Sequence, residues 1–256
     1  MDGFETVADR MVEKLGLEGN EEISWGGACR KVEVFTKEIG SKNMSKETWE
    51  ERIRETTMAG DYDVAFTDGS KLEDGKTGAG WTVRNQFYGG KGLGEGATVW
   101  DAEVLAIAET LKRSKGKRLL ILSDSKAAIA AIVKAGRRGR GRTRELREAT
   151  DLIAKRCKND PTAVYLGWVK SHIGIEGNEA ADETAKRAAE EQEMHGKEEH
   201  TILITEGGVK QRVSALRREE RTQSRWSLGK VAVWDRRAEK CWILCNSQYK
   251  LVYLLS

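Results

Sequence analysis

Two short apolar runs, "VAFTDGS" and "LLILSDS", each deliver an aspartate at the end of what reads as a buried strand: Asp68 and Asp124. Either one alone has an ordinary explanation. Asp68 with Gly69 is a common turn pair, and Asp124 stands where the next helix needs an N-cap. Two further acids, Glu103 in "WDAEVLAIAE" and Asp182 in "GNEAADETA", sit among small and apolar neighbours on helical segments. Four such acids in one small α/β domain point to shared chemistry. In open α/β sheets ligands collect beyond the carboxyl ends of the strands, so neighbouring strands would bring Asp68 and Asp124 together there. Carboxylates that close cannot all stay ionised without compensation. Hard oxygen donors of this kind suit Mg²⁺, which keeps waters and accepts phosphate oxygens. A pair of ions about 4 Å apart stabilises the attacking and leaving oxygens of an in-line phosphoryl displacement. The chemistry indicated is phosphodiester hydrolysis.

The elements that must position these residues are legible by texture. From Tyr62 to Glu193 the pattern is sharp. A strand ends at Asp68; "GAGWTVR" and "QFYGGKGL" continue it as a meander with Gly-rich turns. "TVWDAEVLAIAETLKRS" is amphipathic and helical, and "RLLILSDS" is a buried strand. "SKAAIAAIVKAG" is a helix stopped by Gly136. "TRELREATDLIAKRC" is a helix, "AVYLGWVKSH" a strand and "EGNEAADETAKRAAEEQ" a last helix. The order βββαβααβα implies an α/β domain with a mixed five-stranded sheet flanked by helices, an antiparallel meander first and parallel additions afterwards. Residues 1–59 form a charged, partly helical N-terminal extension. Within it "SKETWEERIRETT" puts Trp49 and Ile53 on one helical face and pairs Glu50 with Arg54. Residues 60–193 are the domain itself. Residues 194–256 are a C-terminal extension, with a basic helical segment over 207–228 and the apolar tail "KCWILCNSQYKLVYLLS".

"FTDGSK", "WDAEVLAIAE", "LSDSKAAI" and "WVKSHIGIEGNEAADETA" together resemble the signature blocks of type 1 ribonuclease H, in order and in spacing. The wording "HIGIEGNEAAD" is most similar to the ribonuclease H domains of non-LTR retrotransposon polyproteins. The basic segment and "VAVWDRRAEKCW" weakly resemble the region C-terminal to that domain in fungal elements of this kind. The resemblance covers about residues 60–193 and implies a ribonuclease H-like fold. It also implies endonucleolytic hydrolysis of the RNA strand of an RNA/DNA hybrid, leaving 3′-hydroxyl and 5′-phosphate ends. Asp68, Glu103, Asp124 and Asp182 would then ligate two Mg²⁺ ions, or Mn²⁺ in their place. His172, ten residues before Asp182 in the Gly-flanked loop "SHIGIEG", would shuttle a proton or help release product. Gly69, Ser70 and Lys71 are implied contacts to the 2′-hydroxyls that distinguish RNA from DNA. Thr98 and Asn178 are implied contacts near the substrate strand. His195 and His200 lack such a context.

"RRGRGRTR", residues 137–144, is the densest basic run, at the place where some family members carry an extended basic protrusion. Charge runs are usually solvated faces. Arg137, Arg138 and Arg140 are nevertheless candidates for phosphate contact driven by counterion release. The total charge says little, since 44 Lys and Arg face 41 Asp and Glu for a net +3. Four scattered cysteines do not form a disulfide framework, and Cys241 with Cys245 lacks partners at zinc-site spacing. The acidic start "MDGFETVADR" has no apolar h-region, and the longest apolar run, "AAIAAIV", is far too short to span a bilayer. The expectation is an intracellular protein, nuclear or cytoplasmic and not secreted. It would be a monomer, without a membrane association or a small-molecule cofactor. No reverse-transcriptase motif and no separate hybrid-binding module is visible. The alternative from another class is a catalytically inactive hybrid- or RNA-binding remnant of a retroelement protein. An exonuclease or resolvase of the same broad fold is a further rival, which the "TDGS" block and the His172 loop disfavour.

Overall fold

A computed structural model of the chain describes residues 20–24, 26–83, 87–191, 201–205, 207–211, 214, 231–235, 240–245 and 248–252. Two compact units separate: Asn20–Thr205, and the terminal residues before and after it. In the larger unit the chain runs β1 (Asn20–Ile23), β2 (Gly27–Ala28), β3 (Phe35–Lys37), α1 (Lys46–Gly60), β4 (Asp63–Lys71), β5 (Thr77–Val83), β6 (Phe87–Gly94) and α2 (Val99–Arg113). It continues through β7 (Leu119–Ser123), α3 (Lys126–Arg138), β8 (Arg140–Gly141), α4 (Arg144–Arg156), β9 (Val164–Trp168), α5 (Glu176–Glu191) and β10 (Thr201–Ile204).

The main sheet has strand order β3-β9-β7-β4-β5-β6. Strands β4, β5 and β6 form the antiparallel meander, and β7, β9 and β3 add in parallel. The mixed α/β architecture is the one expected, with six strands in place of five. The sixth, β3, comes from the N-terminal extension and caps the edge that β9 would otherwise leave bare. An uncovered edge invites pairing with another chain, so a short covering strand is a common remedy.

Period-two alternation divides the core cleanly. Ala65, Leu119 and Ile121 face α2, α3 and α4 in one cluster. Val64, Phe66, Leu120 and Leu122 face α1 and α5 in the other. As expected, Trp49 and Ile53 are the buried residues of α1. The ion pairs on that helix differ from expectation: Arg54 meets Glu51, and Glu50 meets Lys46. All four side chains are solvated, so little energy separates one pairing from another.

Two further boundaries differ. β4 does not end at Asp68 but continues to Lys71, because β5 keeps pairing with it, Asp68 opposite Gly80 and Lys71 opposite Thr77. The turn falls instead at Leu72–Lys76, around Gly75 with φ +95°. α3 runs past Gly136 to Arg138 and closes on Gly139, which takes the left-handed cap conformation. Gly136 serves close packing: a Cβ there would stand 2.6 Å from the Val32 carbonyl oxygen.

In the second unit β11 (Val231–Asp235), β12 (Lys240–Cys245) and β13 (Gln248–Val252) form an antiparallel meander, so the described residues of the apolar tail are strand. The expected basic helix over 207–228 is helical at 207–211 and at 214, and its remainder lies outside the described residues, as do His195 and His200. Among the described residues no helix is long and apolar enough to cross a membrane.

Candidate active site

Asp68 and Asp124 meet because their strands are neighbours. β4 and β7 pair in parallel up to Thr67 opposite Ser123, and there β7 stops. Asp68 is therefore the first β4 residue beyond the parallel ladder, and Asp124 leaves β7 at the same level. Ser125 then caps α3, its hydroxyl accepting from the Ala128 N–H. The Trp168 indole N–H donates to the Asp124 carbonyl (3.0 Å), which ties this strand end to β9.

Glu103 arrives from the other layer. Gly69 lies on the face that meets α2, and a Cβ there would stand 2.8 Å from Val99 O and 2.9 Å from Glu103 N. With no side chain at that position, α2 presses onto the strand and its Glu103 carboxyl reaches the strand ends. The helix is fixed in place by a capping box: Asp101 N–H donates to Thr98 Oγ1 (3.2 Å) and Thr98 N–H to Asp101 Oδ2 (2.9 Å). Asp182 comes on α5, whose backbone lies against two strand glycines. A Cβ on Gly80 would stand 2.3 Å from Ala181 O, and one on Gly78 2.3 Å from Ala185 O.

Asp68, Glu103 and Asp124 offer carboxylate oxygens that all lie within 4.8 Å of one another. Asp68 is 6 % and Glu103 4 % exposed, so each carboxyl is largely removed from water. Burial, then the charges of Asp124 and Asp182, push Asp68 up to about 7, against the opposing pull of the Gly69 N–H on Oδ1 (2.7 Å). Burial, then the charges of Asp68 and Asp124, push Glu103 up to about 10. Asp124 is also raised, mainly by burial, with His172 pulling the other way. A site of hard oxygen donors that hold protons near neutrality for want of positive charge fits a divalent cation.

With this geometry in view, the comparisons are decisive. A family model for RNase H matches residues 61–190, which is half of the chain. The chain belongs to the RNase H family. It is 33% identical over 137 residues to a ribonuclease H of Tropheryma whipplei (strain Twist), covering 49% of this chain and 83% of that protein. It is 31% identical over 139 residues to the Pol polyprotein of Radiation murine leukemia virus (strain Kaplan), covering 48% of this chain and 24% of the polyprotein. Membership makes the chain a ribonuclease by class, a hydrolase with retroelement kin.

The other residues singled out in the sequence fall at varied distances from this RNase H centre. His172 is exposed, in a left-handed backbone conformation (φ 55°) that a residue with a side chain adopts at a cost. It groups with Glu179 and Asp182 in a second set of potential ligand atoms. Glu179 was not apparent in the sequence; its carboxylate accepts from the Gly174 N–H (3.1 Å) and so pins the His172 loop to α5. Lys186 was missed as well. Its ammonium lies 2.6 Å from Asp182 Oδ2, one turn along the helix, and the i,i+4 spacing was the available signal.

Asn178 is 2 % exposed and its Oδ1 has no hydrogen-bond partner. The Lys71 ammonium donates to the Ala97 carbonyl (3.1 Å), and the Thr98 hydroxyl donates to Asp101 Oδ2 (2.6 Å), so both are occupied in holding the start of α2. The basic run is dispersed. Arg137 and Arg138 line a groove beside α3, Arg140 pairs with Ala28 in the two-residue β2–β8 ladder, and Arg142 lies 4.1 Å over the Trp100 ring.

Proposed function

We propose that the chain cleaves the RNA strand of RNA/DNA hybrids endonucleolytically, in a divalent-cation-dependent hydrolysis that leaves 3′-hydroxyl and 5′-phosphate ends. The observation that carries this reading is the meeting of Asp68, Glu103 and Asp124 within 4.8 Å, with Asp182 close enough to raise two of them. A purely structural role gives no reason to bury repelling carboxyls together, which counts against an inactive remnant.

Asp68, Glu103, Asp124 and Asp182 are the residues that would hold two Mg²⁺ ions, with Mn²⁺ as a substitute. Bound there, the cations would supply Lewis-acid activation of water and charge stabilisation at the phosphate. Asp68, Glu103 and Asp124, whose carboxyls are raised, would ionise beside such charge, and with Asp182 they would present a fixed set of oxygens from β4, β7, α2 and α5 around the scissile phosphate. Water attacks phosphorus in line, and the 3′ oxygen of the preceding nucleotide leaves and is protonated. His172, exposed and beside Asp124, takes up the proton that the attacking water loses. Gly69 and Ser70 offer backbone groups, and Asn178 its unpartnered amide oxygen, to the 2′-hydroxyls of the RNA strand. Lys71 and Thr98 support that surface by fixing the α2 terminus, while Arg137, Arg138 and Arg140 meet phosphates farther out.

The catalytic domain in this reading is residues 60–193, with 1–59 and 194–256 as flanking extensions and the monomer as the acting form. The test is cleavage of an end-labelled RNA/DNA duplex by the full chain with Mg²⁺. Cleavage is expected in the RNA strand alone, abolished by chelator and reduced at least about 10³-fold in Asp124→Asn. Wild-type rates from Asp124→Asn would refute the mechanism, and hybrid binding without any cleavage would establish the inactive-remnant reading in its place.

A further inference from the structure

Beside the acids lies a groove of about 920 Å³, between α3 and the segment 36–42 that extends from β3. Its walls carry six cations, Lys37, Lys42, Lys126, Lys134, Arg137 and Arg138, against one acid, Glu38. All six are exposed. Its floor is apolar, made by Ile39, Ile129 and Leu166. The Trp168 ring closes the end nearest the acids, with the Lys126 ammonium 4.0 Å above it. That end is joined to the active site covalently and by a hydrogen bond, since Lys126 stands two residues after Asp124 and Trp168 donates to the Asp124 carbonyl. The outer wall exists only because β3 adds to the β9 edge, and the Lys170 ammonium braces it by donating to the Lys42 carbonyl (2.9 Å).

We propose that this groove holds a single-stranded extension of the RNA strand where it leaves the hybrid. The inference rests on the function proposed above, because the strand engaged at Asp124 is then RNA. Six cations facing one acid match a phosphodiester backbone and would release its condensed counterions. The volume is that of a small-molecule cleft, enough for a few nucleotides and too little for a duplex. The apolar floor favours the same choice. Unpaired bases expose faces that bury on apolar and aromatic surface, whereas a duplex hides them in its stack. An acidic peptide would satisfy the walls but bring little to that floor.

The experiment measures anisotropy of the full chain, in chelator so that nothing is cut, with a blunt hybrid and with the same hybrid carrying a short RNA overhang at one or the other end. The wild type is expected to bind one overhanging form about tenfold more tightly at low salt, with a steeper salt dependence. Lys37→Gln/Lys42→Gln/Lys134→Gln is expected to abolish that gain and lower the log–log salt slope by about 2, at about 0.7 per single-strand phosphate. Its affinity for the blunt hybrid, and its cleavage of it with Mg²⁺, are expected to be unchanged, while the corresponding triple Arg variant keeps the gain. Equal affinity of the wild type for blunt and overhanging hybrids would overturn the proposal. So would equal weakening of both by the triple Gln variant, or competition by polyglutamate as effective as by single-stranded RNA of matched charge. Failure of the function proposed above would show separately, as absence of blunt-hybrid cleavage with Mg²⁺, while the overhang comparison still reports on the groove.

Discussion

Glu103 carries a carboxyl into a place where charge is expensive. Without cations, the folded chain holds Glu103 up at about 10 and Asp68 up at about 7. Both values lie above those of the unfolded chain, so the native state binds the extra protons. The stability these groups contribute is therefore complete below about pH 4 and is lost as pH rises through about 7 and towards 10. The melting temperature of the metal-free protein is expected to fall from pH 5 to pH 8 in a thermal-shift titration, with Mg²⁺ restoring more at pH 8 than at pH 5. Glu103→Gln removes the main ionisation while keeping the shape. It should flatten the profile and raise the metal-free melting temperature at pH 8 by a few degrees, at about 2–4 °C per kcal/mol for a unit of this size, while cleavage is lost. A profile unchanged by the substitution would place the pH dependence elsewhere. His172 is a different kind of residue, exposed and outside the carboxyl cluster. His172→Ala should lower kcat about 10²-fold, with hybrid affinity and melting temperature close to wild type.

Elements position these side chains by coming unusually close, and that closeness was the part least legible in sequence. The acids at Asp68 and Asp124 can be read because an apolar run marks the buried strand before each, although β4 itself continues past Asp68 to Lys71. The α5 docking surface cannot be read so: "GAGWTVR" reads as a strand, but nothing in it shows that a helix packs onto the bare positions of Gly78 and Gly80. They are strand residues whose missing side chains admit the backbone around Ala181 and Ala185. Asp182 comes near enough to bear on Asp68 and Asp124 only because that helix sits so close. Gly80→Ala is therefore expected to lift α5 at the turn that carries Asp182, costing about 1–3 kcal/mol as an overpacking change and lowering cleavage. Calorimetry with a parallel activity assay distinguishes this from a surface effect, for which Lys91→Ala on the neighbouring β6 is the control. Gly136 taught the same lesson: its composition suggested a helix stop, yet α3 runs through it because the chain at Val32 needs the space.

At the scale of the molecule, the family match begins at residue 61, but the physical unit begins near residue 20. The difference is made of real contacts. Trp49 is fully buried and meets Trp168 edge-on at 5.7 Å, and Trp168 in turn holds the Asp124 strand end. β3 covers the β9 edge, β1 pairs with β10, and the Arg144 N–H donates to Ser24 Oγ (3.0 Å) at the start of α4. Helical spacing shows the Trp49 face of α1, but the added strand does not show in periodicity, because β3 is three residues long and only partly buried, too short for alternation to register. A chain cut to 61–205 would uncover Trp168, Ile175 and the edge of β9 together. Removing Trp49 alone costs about 3–5 kcal/mol by the usual measure of a buried Trp, a large share of the stability of a domain. The truncation 61–205 is accordingly expected to aggregate or to melt well below the full chain, whereas 20–205 should keep a cooperative transition and cleave the hybrid. Trp49→Ala in the full chain should reproduce part of the loss and lower activity through the strand end that Trp168 holds. If 61–205 melts cooperatively at the temperature of the full chain and cleaves as fast, the added strand and helix are ornaments on a self-sufficient core, and Trp168 positions Asp124 without their help.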